Sequence, residues 1–152
     1  MSKLDELDRK ILREIQQDSN VSMDALAKKI GSSKTPVWSR IQKLRKNGVI
    51  DKQVALLNPA ALGLAETFFM AVKTDEHDQE WLKKFAAAVQ DLPEILEAHR
   101  MTGDIDYLLK VRVASTTDFD RVYKELISRV KLHNVTSSLS MECLKHTTAL
   151  KL

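Results

Sequence analysis

A run of cations without an acidic neighbour is the most chemically informative feature of this sequence. No aspartate or glutamate occurs between Asp24 and Asp51. The same stretch holds seven basic side chains: Lys28, Lys29, Lys34, Arg40, Lys43, Arg45 and Lys46. Concentrated positive charge on a rigid element is typical of a protein that binds the phosphate backbone of duplex DNA. A solvated basic face without a partner is the alternative that charge alone leaves open.

The cationic run falls where the sequence predicts helix, turn and helix. Apolar residues recur at helical spacing between Leu4 and Ile15, and Asp5 is placed to cap that helix. Ser22 is placed to cap a second helix, which Gly31 ends. Ser33 is placed to cap a third helix. The charge is therefore expected on rigid helices rather than on a loop.

The third predicted helix separates an apolar side from a polar and cationic side. Val37, Ile41 and Leu44 form its inner face, and hydroxyl, amide and ammonium groups point away from it. Such groups hydrogen-bond base edges and bind phosphates. The predicted DNA-binding residues are Lys28, Lys29, Ser33, Lys34, Thr35, Trp38, Ser39, Gln42, Lys43 and Lys46.

Two residues at the edges of this helix have a structural alternative. Trp38 is expected to pack against a neighbouring helix rather than to stack on DNA. Arg40 lies near the inner face, and we predict that it pairs with a carboxylate of the first helix. Ser39 and Gln42 are the better candidates for base contacts.

The distribution of charge predicts two domains. Residues 1–60 hold 12 basic and 7 acidic side chains, a net charge of +5, whereas residues 61–152 hold 12 and 14, a net charge of −2. Asn58-Pro59 disfavours continued helix and marks the change. We predict a winged helix-turn-helix over residues 1–60, with a wing or linker near 50–62, and a second domain over 63–152. Residues 49–50 and 54–57 are the predicted wing strands.

The second domain has the pattern strand, helix, strand, twice over. Predicted strands cover 67–73, 95–101, 107–113 and 135–147, and Thr116 or Thr117 is expected to cap the second helix. This βαββαβ order predicts an α+β, ferredoxin-like sandwich with both helices on one face of the sheet.

The other face of this predicted sheet requires a cover. Ala71, Leu108, Leu139 and Met141 are expected there, so we predict dimerisation through the sheets. A two-fold dimer would place two basic heads on one duplex and match palindromic half-sites.

Other classes of protein find little support in the sequence. Cys143 is the single cysteine, so no intrachain disulfide is possible and a reducing cytoplasm is the simplest location. No apolar run approaches 18 residues, which predicts no membrane partner. The four histidines are scattered, and no catalytic set, phosphate loop or metal cage is evident. We therefore predict neither catalysis nor a bound metal or cofactor.

Several motifs occur in order along nearly the whole chain. In the first domain they are Leu7-Asp8-x-x-Ile11-Leu12, Leu26-Ala27-x-x-Ile30-Gly31-x-Ser33 and Val37-x-x-Arg40-Ile41-x-x-Leu44-x-x-x-Gly48-Val49-Ile50. Near the start of the second domain and within it they are Pro59-x-x-Leu62-Gly63 and Gly103-Asp104-Ile105-Asp106-Tyr107-Leu108-Leu109-Lys110-Val111. Together these motifs resemble the leucine-responsive regulatory protein/AsnC (Lrp/AsnC) family of transcription regulators. The resemblance implies a winged helix-turn-helix head joined to an effector-binding domain, in dimers that assemble further, often to octamers.

The resemblance also implies an amino-acid effector bound between dimers near the acidic turn. An amino acid needs an anion for its ammonium group and donors for its carboxylate, and Asp104 or Asp106 and the amides around Gly103 are suitable. A tight turn capped by aspartate is the structural alternative. The predicted effector residues are Met101, Thr102, Gly103, Asp104, Asp106 and Tyr107, with Thr136, Ser137 and Ser138 from an adjoining dimer.

The expected function is a DNA-binding transcription regulator that responds to a small amino acid. The ending from Val135 to Leu150 resembles a subgroup that includes a cysteine-responsive regulator, so cysteine or another small or apolar amino acid is the expected effector. An architectural DNA-organising protein without effector response is an alternative. A tetrapyrrole decarboxylase of the same architecture is another, but the basic helix face would have no use there.

Overall fold

The computed structural model describes residues 4–76 and 78–152 of the chain, which divides into two compact units. The first unit holds the residues up to Leu56 together with Lys145–Leu152, and the second holds Leu57–Leu144. The sequence predicts that residues 145–152 belong to the second domain, whereas their nearest neighbours in space lie in the first unit. We call residues 4–56 the head and residues 145–152 the tail.

Three helices form the head: α1 (Glu6–Ile15), α2 (Met23–Lys29) and α3 (Lys34–Lys46). Asp5 caps α1 as predicted, and its carboxylate accepts from the Asp8 N–H at 2.9 Å while the Asp5 N–H donates to the Asp8 carboxylate. This reciprocal arrangement is a capping box, which satisfies two N–H groups that the helix leaves without partners. The Ser22 hydroxyl caps α2 in the same way, accepting from the Ala25 N–H.

The turn between α2 and α3 depends on a glycine. Gly31 has φ of +69°, a left-handed conformation that residues with a Cβ rarely adopt. It directs the chain from the end of α2 into α3, as the sequence predicts. The inner faces of the three helices then meet in one apolar core, in which Ile11, Leu26 and Val37 are fully buried.

The predicted wing strands are absent from the single chain. Residues 51–58 have no regular secondary structure, and Val54, Leu56 and Leu57 are largely exposed. An isolated pair of strands this short is marginal in water because few cross-strand contacts offset the loss of backbone entropy.

The second unit carries one four-stranded antiparallel sheet and two helices. Its elements are a short 3₁₀ turn (Ala60–Leu62), β1 (Glu66–Lys73), α4 (Gln79–Asp91), β2 (Ile95–Arg100), β3 (Tyr107–Val113), α5 (Thr116–Arg129) and β4 (Asn134–Leu139). The strand order is β2-β3-β1-β4, with every neighbouring pair antiparallel. The predicted βαββαβ order and the α+β fold class are confirmed.

Both helices cover the same face of this sheet. Trp81 and Phe85 of α4 and Val122 and Leu126 of α5 are buried in one cluster with alternate strand residues such as Leu109. Alternation along β3 follows from the pleat, which turns successive side chains to opposite faces. The cap of α5 is Ser115, one residue before the predicted threonines, and its hydroxyl accepts from the Asp118 N–H.

The last strand is shorter than predicted. β4 pairs only with β1, and Leu139 lies opposite Phe68, close to the start of β1 at Glu66. One more main-chain hydrogen bond, from the Ser140 N–H to the Thr67 carbonyl, ends the ladder near the start of β1. Residues 141–147 therefore leave the sheet instead of continuing it.

The strand register corrects the predicted placement of one residue, Leu139, on the uncovered face of the sheet. Ala71 and Leu108 lie opposite each other on that face and are half-buried. Phe69 joins them there and is 40% exposed. Leu139 is on the helix side, because its register partner Phe68 belongs to the core. Met141 lies beyond β4 and is exposed.

Candidate nucleic-acid interface and effector site

The outward face of α3 is polar, cationic and open to solvent. Thr35, Ser39, Lys43 and Lys46 are exposed and Gln42 is half-exposed, while Val37, Ile41 and Leu44 are buried on the opposite side. This separation follows from the 100° turn per residue of the helix. The residues predicted to contact DNA on α3 therefore share one accessible surface.

Three of the predicted lysines have no carboxylate within ion-pair distance in the part of the chain that the structure describes. They are Lys28 of α2 and Lys43 and Lys46 of α3. A cation without a protein partner is hydrated, and it releases that water and gains a strong partner when it meets a phosphate. These three side chains offer uncompensated positive charge on or beside the outward face of α3.

Other cations of the same stretch have partners in the head. Lys29 pairs with Glu14 of α1, and Lys34 Nζ lies 3.0 Å from Asp24 Oδ2. Arg45 donates to the Gln53 side chain at 3.1 Å, and Gln53 in turn donates to the Ser19 carbonyl at 2.8 Å. The pairs of Lys29 and Lys34 are exposed and exchange readily with phosphates, since surface ion pairs are worth little.

Arg40 is a structural residue, as predicted. Its Nη1 lies 2.5 Å from Asp5 Oδ2 and 3.2 Å from Asp8 Oδ1, so it ties α3 to the capping box of α1. The Asp8 N–H, together with the Arg40 guanidinium, holds the pKa of the Asp5 carboxyl below its ordinary value. The hydrogen bond to Asp5 in turn raises the pKa of Arg40. The Arg40 side chain therefore stabilises the contact between α3 and α1.

The first turn of α3 presents hydrogen-bond donors. Ser33 occupies the capping position, but its side chain makes no cap hydrogen bond. The N–H groups of Lys34 and Thr35 open the helix, and Pro36 has none to offer. The positive end of a helix and its unpaired N–H groups favour phosphate oxygens. The predicted DNA-binding residues Ser33, Lys34 and Thr35 therefore lie at the positive end of α3.

Trp38 is 55% exposed, although packing against a neighbouring helix was the expected environment. It lies on the flank of α3 between Lys34 and Arg45, whose partners belong to α2 and to the segment after α3. Its largely accessible ring is an apolar surface beside the cationic face.

The acidic turn predicted for the effector site connects β2 to β3. Met101, Thr102 and Asp104 are exposed, and Gly103 has φ of +105°, which favours glycine. Asp106 is fixed within the fold: its Oδ2 accepts from the Thr74 N–H at 2.8 Å, and its own N–H donates to the Val72 carbonyl. Asp104 is therefore the carboxylate of this turn that remains exposed to a ligand.

Tyr107 lies in the core and not on the surface of the turn. It is buried, and its ring packs 4.5 Å from Phe85 and 5.8 Å from Trp81, measured between ring centroids. In a single chain, the buried Tyr107 side chain does not reach the surface of the turn, where the effector is predicted to bind. The alternating pattern of β3 in the sequence indicates this burial, because Tyr107 lies two residues before Leu109 and points to the same face of the sheet.

The predicted effector residues of β4 divide between the two faces of the sheet. Thr136 lies opposite Ala71 and Ser138 opposite Phe69, on the uncovered face. Ser137 lies opposite the buried Met70 and so points to the helix side. Since β1 separates β3 from β4, about 10 Å of sheet lies between the β3 and β4 portions of the predicted site. One chain therefore brings together the residues of the turn but not the whole set.

Sequence reasoning missed the partners that fix these elements. Thr74 anchors Asp106, and Gln16 and Arg13 of α1 bind the tail. Helical spacing marks Gln16 and Arg13 only as polar residues beside the core, because no local pattern reveals a contact more than 130 residues away in sequence.

Two further searches bear on other classes of site. Within residues 4–76 and 78–152, no three histidine, cysteine, aspartate or glutamate side chains converge on a position for a metal ion. None of the helices in those ranges combines the length and apolarity that a membrane crossing needs.

Comparison with known protein families matches both units. Residues 4–51 match the winged helix-turn-helix DNA-binding model, and residues 67–150 match the Lrp/AsnC ligand binding domain. The glutamate uptake regulatory protein of Zymomonas mobilis is 47% identical over 99% of this chain and 92% of its own length. The DNA-binding transcriptional activator DecR of Escherichia coli is 43% identical over 97% of both chains.

Solved structures give the same assignment. An AsnC family transcriptional regulator from Agrobacterium tumefaciens superposes with a TM-score of 0.94 at 45% identity, over 97% of each chain. A transcriptional regulator from Neisseria meningitidis, solved in complex with L-Met, superposes with a TM-score of 0.93 at 29% identity, over 98% of this chain and 97% of that one. With a cationic outward face on α3, a βαββαβ sandwich and matches to both family models, the chain belongs to the Lrp/AsnC family of DNA-binding transcriptional regulators.

Proposed function

We propose that this regulator contacts duplex DNA through the outward face of α3, with Lys28 of α2 on the flanking backbone. The observation that carries the proposal is the set of three lysines without carboxylate partners, Lys28, Lys43 and Lys46, beside an uncapped helix start at Ser33. Lysines bind phosphates, and Ser39 and Gln42 between them have the donors and acceptors that read base edges. The paired Arg40 supports the head and stays away from DNA.

We infer that a small amino acid adjusts this binding, with Asp104 as the group that meets its ammonium. Asp106 is engaged with Thr74, which leaves Asp104 and the amides around Gly103 as the accessible polar groups of the turn. A relative of the same fold was solved with L-Met. Cysteine or another small or apolar amino acid remains our proposed effector. The other half of the pocket, Thr136 and Ser138, comes from an adjoining dimer.

We propose that two chains associate through the uncovered sheet face and that dimers assemble further, to an octamer or similar ring. Phe69, Ala71 and Leu108 form an apolar strip on that face, bordered by Lys110 and Glu97, which pair at 2.7 Å. An exposed apolar strip with a polar border is typical of an interface. A two-fold pair of heads would suit half-sites one helical turn apart. The protein acts where its DNA is, in the cytoplasm.

The proposal is tested by fluorescence anisotropy on labelled DNA from upstream of the protein's own gene, with each of the twenty amino acids in turn. We expect tight binding that weakens by about 10³- to 10⁵-fold between 50 and 200 mM salt, as for about 6–10 phosphate contacts. One amino acid should shift the affinity several-fold. Binding that no amino acid changes would favour the architectural alternative, and no binding by a folded dimer at low salt would contradict the proposal.

Two substitutions separate the roles of the carboxylates in the turn. Asp104→Asn should weaken the amino-acid response and leave DNA binding without effector unchanged. Asp106→Asn should lower the melting temperature, because Asp106 holds the turn to the residue after β1 through the Thr74 N–H. A full amino-acid response in the Asp104 variant would remove Asp104 from the proposed site.

A further inference from the structure

The tail is bound by two side chains of α1 through its main chain. The Gln16 amide makes a reciprocal pair with Leu150: Nε2 donates to the Leu150 carbonyl and Oε1 accepts from the Leu150 N–H, each at 2.9 Å. Arg13 donates from Nε and Nη2 to the Leu152 main-chain oxygen at 3.2 and 3.0 Å. Four hydrogen bonds therefore hold two residues of the tail, Leu150 and Leu152.

The spacing of these two side chains matches an extended chain. Residues three apart on a helix are about 5–6 Å apart and share one face. Leu150 and Leu152 are two residues apart, which in an extended backbone corresponds to about 6–7 Å, and their carbonyl oxygens accept from Gln16 and Arg13 respectively. Leu152 packs against the apolar core of the head, while Leu150 is 73% exposed. The surface therefore recognises main chain and one aliphatic side chain.

These contacts are suited to opening. All four hydrogen bonds lie at the surface, where water competes for the same groups. Leu152 is only half-buried at the margin of the core. Segments held by few apolar contacts and exposed hydrogen bonds open far more often than the core does.

The docked tail adds a connection between the head and the second unit. The chain passes between the two units twice, once after Leu56 and again after Leu144. The second passage comes a few residues after β4, which carries Thr136 and Ser138. The chain after Leu56 joins the head to the second unit covalently, and the docked tail adds a second, non-covalent connection through its hydrogen bonds and Leu152. When the tail is released, only the first connection remains. A head with two connections samples fewer orientations and loses less entropy when it is positioned on DNA.

We propose that residues 150–152 are a reversible latch, with Arg13 and Gln16 as its receptor, and that closing the latch strengthens binding to DNA. The proposal concerns regulation of the DNA-binding surface and rests on the function proposed above. Through β4, the same latch connects the predicted effector residues to the head along the chain itself.

The first test asks whether the latch is closed in solution. The latch variant is Arg13→Ala with Gln16→Ala, and its control is Lys10→Ala with Gln17→Ala, which likewise removes one cation from α1 and one amide side chain from the turn that follows it. Hydrogen–deuterium exchange of the tail should be slow in the wild type and the control, and about tenfold faster in the latch variant. Equal exchange in all three proteins would overturn the latch. Gln16→Ala alone serves if the double variant melts early.

The second test asks whether closure matters for DNA. On the upstream duplex without added amino acid, the latch variant should bind about 3- to 10-fold more weakly than the control, with circular dichroism spectra that coincide. Affinities within twofold, with an open tail, would overturn the coupling. If neither the wild type nor the control binds DNA, the proposed function fails, and a protected tail in those proteins would still support the docking itself.

Discussion

The two sides of α3 carry the same kind of charge and use it differently. On the side facing α1, Arg40 is paired with Asp5 and Asp8 within the head. On the outward side, Lys43 and Lys46 have no carboxylate partner among the described residues. The difference arises from geometry, since one turn of helix directs Arg40 toward a capping box and its neighbours toward solvent. Positive charge in a sequence therefore indicates a ligand only after its partners within the fold are known.

Reversing the charge of the outward side should give the largest effect. For Lys43→Glu with Lys46→Glu we expect a loss of DNA affinity of about 100-fold or more at 100 mM salt, because phosphate attraction becomes repulsion at two positions in each head. The melting temperature should hardly change, as neither side chain holds the head together. Fluorescence anisotropy and circular dichroism measure the two quantities.

The matched control reverses two cations of the second unit, Lys83→Glu with Lys84→Glu. It changes the net charge by the same amount and should bind DNA within a few-fold of the wild type. Specific binding by the Lys43/Lys46 variant, or an equal loss in the control, would show that α3 does not read the DNA.

Removing the charge on the side of α3 that faces α1 should mainly lower the stability of the head. Arg40→Ala leaves Asp5 and Asp8 of the capping box without their cation. We expect a melting temperature several degrees lower at pH 7 and a smaller loss of DNA affinity than in the outward variant. If Arg40→Ala abolished DNA binding without lowering the melting temperature, Arg40 would belong to the interface.

We also expect the loss of stability in Arg40→Ala to depend on pH. The pKa of Asp5 is lower in the folded state than in the unfolded chain, so its stabilising effect is present above about pH 3.9 and is lost as the pH falls through the folded value. The difference in melting temperature between the wild type and Arg40→Ala should therefore be largest near neutrality and shrink below about pH 4. Thermal melts between pH 3 and 7 test this, and a difference independent of pH would contradict it.

The smallest expected effect is a difference in the salt dependence of DNA binding between variants of two lysines of α3. Lys46→Gln removes an unpartnered cation and should reduce the slope of log affinity against log salt by about 1 per head. Lys34→Gln removes a cation that already pairs with Asp24, so its reduction should be smaller. Salt titrations of both variants measure the slopes. Equal slopes would mean that Lys34 leaves Asp24 completely on binding DNA.

Most of the fold could be predicted because its signals are local. Helical spacing located α1, α2 and α3, and the caps at Asp5 and Ser22 are residues whose side chains bond within three positions. The βαββαβ order followed from two repeats of the same pattern. The pairing of Arg40 with α1 was also predictable, from its angle on the helix.

The parts that failed depend on partners distant in sequence. The length of β4 is set by where β1 begins, and the side on which Leu139 lies is set by register with Phe68. The wing strands had side chains typical of strands but no partner in the chain. Tyr107 lies in the core, as the alternation of β3 indicates, and its assignment to the effector site stays a prediction. The other predicted site residues likewise stay predictions for the experiments above.

The docked tail also bears on how the protein folds as it is synthesised. The three helices of the head leave the ribosome early, but Leu152, which packs on their core, is made almost one hundred residues after Leu56. The tail can dock on the head only after the second unit has been synthesised. Such long-range closure is slow relative to local helix formation. A nascent head would therefore pack its own core first and gain the contact with Leu152 later.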